Sequence, residues 1–218
     1  MSGKNSAKEN GNSIVIVDYG MGNLGSIVNM FKKIGAEACL SADPVVIRAA
    51  ERLILPGVGA FDSGMANLHE RGLVALLTEK VVVEKTPILG LCLGMQLFSR
   101  GSEEGSRPGL GWIAADTVRF KFERNPDKLK IPQMGWNYIE QCQDSPLFAN
   151  MPPLARFYFV HSYHLQCDSY ENVLATTDYG YDFPSMVVRD NIWGAQFHPE
   201  KSHKFGMLLL RNFAEYGA

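Results

Sequence analysis

Short apolar runs alternate with amphipathic stretches through about the first hundred residues. Residues 14–18 form a largely β-branched run, and beyond the turn YGMGN the side chains Leu24, Ile27, Val28, Phe31 and Ile34 recur at helical spacing. This predicts strand, turn, helix. Gly35 ends that helix, residues 37–41 resume strand character, and Asp43-Pro44 opens a second helix with a capping acid followed by proline in its first position. A third strand over 52–55 runs into the loop PGVGAFDSG and a longer helix over about 63–85, and residues 87–91 are a fourth, fully apolar strand. Repetition of this unit predicts an α/β layered fold, with a mostly parallel central sheet flanked by helices. Beyond about residue 100 the spacing of Gly, Pro, aromatic and β-branched residues predicts a β-rich second half. Strand-like runs lie at 157–160, 173–177, 185–188 and 192–197, before a closing helix over about 202–216. No internal repeat or long linker interrupts the chain, so residues 14–218 are expected to form a single domain.

Composition narrows this picture. The chain has 218 residues, 46 % of them apolar and 20 % charged, enough to bury a sizeable core. Its net charge is −2 and its basic residues are scattered, so it lacks the electrostatic footprint that binding to nucleic acid or an anionic membrane requires. Residues 1–13, MSGKNSAKENGNS, are polar and lack the apolar centre of a secretory signal; they are expected to be a disordered leader on a cytoplasmic protein. Charges such as Glu79 and Lys80 interrupt the apolar stretches before they reach membrane-spanning length. The four cysteines, Cys39, Cys92, Cys142 and Cys167, share no close-pair spacing, which argues against both a disulfide framework and a zinc site.

The strongest local signal is GLCLG at 90–94, where an apolar strand gives way to a predicted helix carrying Met95, Leu97 and Phe98. Glycines on either side of Cys92 permit a sharp strained turn that lifts its sulfur above the sheet, and a helix N-terminus favours the reactive thiolate. Taken alone, the pentapeptide also fits a small buried cysteine in a tight turn. A nucleophile of this kind needs a base and an orienting acid, and QFHPEKS at 196–202 offers both. Pro199 biases His198 toward extended backbone, so that His198 and Glu200 lie along one face. PGVG at 56–59 closes another strand, where its backbone N–H groups can turn toward a developing oxyanion. DYGMGN at 18–23 lacks the GxGxxG and Walker spacings, so no nucleotide site is expected there. His161 and His164, three apart on an expected strand, should face opposite ways, and no metal site is expected.

Together and in this order, VDYGMGNL, LPGVGAFD, GLCLGMQLF, PQMGWN, FVHSYH and QFHPEKS resemble the class I glutamine amidotransferases, over about residues 14–214. Within them the nearest resemblance is to the glutaminase subunit of imidazole glycerol-phosphate synthase, which serves histidine biosynthesis. The resemblance implies that Cys92 is the nucleophile, His198 the base and acid, and Glu200 its orienter. It places the oxyanion hole at the Leu93 amide and an amide of the Gly57-Val58 loop, and the glutamine substrate against Gly59, Gln96, Glu104, His161, Ser162 and Tyr163. No cofactor is implied. The implied partner is a (β/α)8-barrel cyclase, bound as a heterodimer and receiving the ammonia, with Asn23, Trp136, Tyr138 and Lys201 near its surface. Such a subunit should be nearly idle alone.

Two features depart from the histidine-pathway pattern. Gln133 stands in PQMGWN where histidine is common, and FVHSYH with the later SHKFG resembles a paralogous group that supplies ammonia for amidation of surface-polysaccharide sugars. Two readings of other classes are a thiol hydrolase acting on esters or peptides, against which Gln96 and the HSY segment argue, and a non-catalytic binding subunit, against which the full set of Cys92, His198 and Glu200 argues.

Overall fold

The computed structural model describes residues 14–122 and 129–216; the expected polar leader lies outside them. Its first half follows the predicted alternation: β1 (Ile14–Val17), α1 (Leu24–Ile34), β2 (Ala38–Ser41), α2 (Pro44–Ala49) and β3 (Arg52–Gly57). The left-handed Gly35 closes α1 by sending its N–H to Lys32, and the Asp43 carboxylate accepts from the Val45 N–H to cap α2, whose first residue is Pro44.

The long helix expected over 63–85 is instead three pieces. α3 (Phe61–Glu70) and α4 (Leu73–Thr78) are separated at Arg71-Gly72, where Gly72 has φ +66°, and a π-helical turn (Glu79–Val83) completes the segment. A left-handed glycine interrupts the hydrogen-bond ladder, which hydrophobic spacing alone does not reveal. β4 (Ile88–Cys92) then leads into α5 (Leu93–Gln96), only four residues long.

The second half contains β5 (Ala115–Arg119), β6 (Gln133–Tyr138), β7 (Glu140–Gln141), β8 (Arg156–His161), β9 (Tyr163–Cys167), β10 (Val173–Asp178), β11 (Asp182–Arg189), β12 (Ile192–Ala195) and α6 (His203–Glu215). Among the described residues one sheet has eight strands in the order β2-β1-β3-β4-β12-β11-β10-β7, and β5–β9 and β6–β8 form separate antiparallel pairs. The five strands from β2 to β12 run parallel and the remaining three antiparallel, so the sheet is mostly parallel, with an antiparallel flank. Both faces are covered. In β1, Ile14 and Ile16 pack toward α1 and α6, whereas Val15 and Val17 pack toward α2, α3 and α4; this explains why the strand reads as uninterrupted apolar sequence.

At the centre, α5 lies so close to β3 that a Cβ on Gly94 would sit 1.8 Å from the Leu55 carbonyl oxygen. Gly94→Ala is therefore expected to destabilise the protein by about 3 kcal/mol. In contrast, a Cβ on Gly25 within α1 meets nothing within 4 Å, so Gly25→Ala should stabilise by about 0.5–1 kcal/mol. Urea titration followed by circular dichroism checks both signs.

Candidate active site

β4 lies between β3 and β12, with Cys92 in register with Gly57 and Leu91 with Ala195. The three parallel strands end together, and their C-terminal ends carry the candidate oxyanion loop, the candidate nucleophile and the segment leading to His198. Cys92 is buried and holds φ +52°, ψ −110°, a conformation that L residues rarely adopt. The flanking glycines play a different part from the one expected. The strain sits on Cys92 itself, while Gly90 and Gly94 are required by close approach: a Cβ on Gly90 would lie 2.6 Å from the Phe98 ring and 2.8 Å from the Met95 nitrogen. Because α5 is a single turn, any helix-end effect on the sulfur comes from local N–H groups rather than a long macrodipole.

Beyond β12 the His198 backbone is extended, as its following proline predicts, with φ −102°, and its N–H donates to the Tyr158 carbonyl. Its Nδ1 lies 2.9 Å from Glu200 Oε1, with both side chains buried. Glu200 thereby sets the tautomer and leaves Nε2, which is buried and without a conventional hydrogen bond among the described residues, for Cys92. Burial alone would push the imidazole's pKa down; the neighbouring Cys92 sulfur and the Glu200 carboxylate outweigh it and raise the pKa to about 10. At neutral pH the ring is protonated, the state that pairs with a thiolate.

Gly57 is buried in β3, and a Cβ there would come within 2.5 Å of the Tyr19 hydroxyl, 2.8 Å of Leu93 Cβ and 3.0 Å of the Gly94 nitrogen. The candidate oxyanion elements at Gly57 and Leu93 are therefore adjacent, and only glycine fits between them. Val58 and Gly59 extend beyond the strand into the exposed loop, Gly59 with φ +126°. The Tyr19 hydroxyl, buried beneath Gly57, has no hydrogen-bond partner among the described residues.

The candidate substrate residues surround this centre. Gln96, one turn after Cys92, is buried, and its Nε2 donates to the Tyr163 carbonyl and to Gln196 Oε1, each at 3.0 Å. Glu104 is exposed, and its Oε2 accepts from the Phe61 N–H at 2.8 Å, which holds it beside the loop containing Gly59. Asp62, in the first turn of α3, anchors the loop that carries Glu104 by accepting from the Ser106 and Arg107 N–H groups, bonds that also hold its carboxyl below the usual range. His161 Nδ1 lies 2.8 Å from the Tyr163 carbonyl; burial depresses this imidazole to about 3, keeping it neutral. The Ser162 carbonyl accepts from the Phe120 N–H.

The expectation that His161 and His164 face opposite ways is incorrect. Both pack on the Phe120 ring, at 5.2 and 4.8 Å, and both on Phe183. The chain bends at Ser162 and passes from β8, paired with β6, to β9, paired with β5, which resets the alternation of faces. His164 bonds to the Leu165 carbonyl and the Tyr181 hydroxyl, and no cluster of three or more metal-binding side chains occurs among the described residues.

The four candidate partner residues are all exposed. Met134, Trp136 and Tyr138 share the outward face of β6, and Asn23 begins α1 without a side-chain cap bond. Lys201 Nζ lies 5.7 Å from the Tyr158 ring, which meets Trp136 edge-on at 6.0 Å. Tyr138 points into a separate groove of about 610 Å³ with Asn137, Met151 and Leu154. Sequence reasoning missed Tyr158, Tyr19 and Gln196. The pairing of Trp136 with Tyr158 depends on the β6–β8 register, whereas period-two alternation from His198 back to Gln196 was already legible.

A strained cysteine at a strand end, beside a histidine that a buried carboxylate orients, is the arrangement that cysteine-nucleophile chemistry on an α/β sheet requires. The family model "Glutamine amidotransferase class-I" matches residues 15–215. The chain is 56 % identical over 200 residues to the "Imidazole glycerol phosphate synthase subunit HisH 2" of Methanococcus maripaludis, covering 92 % of this chain and 98 % of that relative. It is 50 % identical to the protein of the same name from Pseudomonas aeruginosa, covering 93 % and 98 %. Among solved structures, a glutamine amidotransferase superposes with TM-score 0.70 at 20 % identity, over 93 % of this chain and 97 % of that one; this likeness bears on the fold alone. The chain belongs to the class I glutamine amidotransferases. No helix among the described residues is long and apolar enough to cross a membrane.

Proposed function

We propose that the chain is the glutaminase subunit of an imidazole glycerol phosphate synthase, with Cys92, His198 and Glu200 as its catalytic triad. The names of its relatives support the pathway, and the Nδ1–Glu200 contact that leaves His198 Nε2 for the sulfur carries the triad. The Cys92 thiolate attacks the side-chain amide carbon of glutamine, and the oxyanion is met by backbone N–H groups at Leu93 and the Gly57-Val58 segment. His198 passes its proton to the departing nitrogen, which leaves as ammonia and gives a glutamyl thioester. The neutral imidazole then takes a proton from water as it attacks the thioester, and the sulfur departs as thiolate beside the imidazolium, which restores the starting pair as glutamate is released. Because both Gln96 N–H groups are held by protein oxygens, its own Oε1 is the atom available to the substrate.

The ammonia is delivered to a (β/α)8-barrel cyclase docked on the outward face of β6 and β8. That face combines exposed Met134 and Trp136 and half-buried Tyr158 with the cations Arg156 and Lys201, a mixture typical of the anchors in protein interfaces. Its edge also carries His203, stacked on Trp136 at 5.4 Å.

Glutamate production measured with and without the cyclase and its nucleotide ligand tests this assignment: weak activity alone and strong stimulation by the cyclase are expected. Stimulation only by a sugar amidotransferase system would move the protein to the surface-polysaccharide pathway. Trp136→Ala should weaken association by about 2 kcal/mol, read as a roughly thirtyfold higher cyclase concentration for half-maximal stimulation.

A further inference from the structure

We propose that Gln196 is a positioning residue for the nucleophile: its side-chain amide donates a hydrogen bond to the Cys92 sulfur and ties that sulfur, through Gln96, to the backbone of Tyr163. The inference rests on Cys92 being the nucleophile. Gln196 is completely buried and lies two residues before His198 in chain leaving β12, so the alternation that aims His198 at the sulfur aims Gln196 there as well. Its Nε2 lies 3.7 Å from Cys92 Sγ, within hydrogen-bond range for sulfur.

A backbone group fixes the direction of this relay. The Tyr163 carbonyl can only accept, so the Gln96 atom facing it at 3.0 Å must be the nitrogen. That same nitrogen lies 3.0 Å from the Gln196 side chain, which must therefore present its oxygen. The Gln196 NH2 group is left pointing at the sulfur. Reversing Gln96 would set its oxygen against the Tyr163 carbonyl oxygen, and reversing Gln196 would set one NH2 group against another. An N–H donor is worth most to a charged acceptor, so the contact favours the thiolate over the thiol and holds its lone pair in one direction. The relay also joins the nucleophile to the segment proposed to hold glutamine: displacement of Gln96 or of Tyr163 alters the position of the donor on the sulfur.

Iodoacetamide capture of Cys92, located by mass spectrometry across a pH series, reads this contact without any turnover. Gln196→Glu keeps the oxygen that accepts from Gln96 but removes the donor. It should slow capture at pH 7 about tenfold, the scale of one hydrogen bond to a charged group, and move the capture profile to higher pH. Gln196→Met has similar bulk and no polar atoms; it should move the profile in the same direction and lower kcat with little change in KM. Melting curves identify which variants are folded, and either one suffices. Overlay of a folded variant's profile on that of wild type would overturn the role of Gln196. If wild-type Cys92 reacts no faster than the exposed Cys39, the nucleophile assignment itself fails.

Discussion

Cys92→Ala should lower glutamine hydrolysis by about a thousandfold or more, with or without a partner, because it removes the atom proposed to form the thioester and leaves only residual stabilisation by the surrounding N–H groups. Labelled glutamine with mass detection of glutamate measures this, and an acid-quenched thioester adduct on Cys92 should disappear with it. Glutamate formation at a wild-type rate by the variant would overturn the mechanism. Stability should respond differently from activity. The Cys92 backbone holds φ +52°, which alanine tolerates poorly and glycine readily. Cys92→Gly should thus be inactive as well but more stable than Cys92→Ala by about 1 kcal/mol.

The first half of the fold was legible because β1, β3 and β4 are buried on both faces and the first two helices carry local boundary signals: Gly35 closes α1 and Asp43-Pro44 opens α2. The break at Gly72 and the shortness of α5 were not legible, since both follow from how the helices pack against the sheet. In the second half β5, β6 and β9 escaped notice. Their partners lie far along the chain, as in Gln133 with His161, and half-exposed strands with a cysteine, glycine or histidine at inward positions show little alternation. The same dependence on tertiary register hid the bend at Ser162 and the packing of His161 and His164 on one ring. By contrast, the elements of the candidate site were readable because each sits at a strand end with a local signature: GLCLG, PGVG and HPE. What the sequence could not supply was their adjacency, which comes from the order β3-β4-β12 in the sheet.

Glu200→Gln should lower kcat by about 10²–10⁴-fold while leaving KM within a few-fold, because the amide preserves the bulk near His198 but withdraws the negative charge and can impose the wrong tautomer. The pH dependence carries the more specific signature. In the native state the His198 pKa is raised to about 10, against an ordinary value near 6.5, after Cys92 and Glu200 overcome the opposing effect of burial. A raised pKa in the folded state contributes stability that is fully present below the unfolded value and is lost as pH rises through the folded one. Wild-type melting temperature should therefore fall between about pH 6.5 and 10 by more than surface titration accounts for, and the difference between wild type and Glu200→Gln should shrink across the same window. Activity should follow the same pair. Without the carboxylate, His198 should lose its proton at lower pH, so the imidazolium proposed to protonate the leaving nitrogen would be present over a narrower range and the alkaline limb of kcat should move down. An unchanged alkaline limb in a folded Glu200→Gln protein would mean that the carboxylate does not tune His198, and the proton delivered to ammonia would have to come from another group.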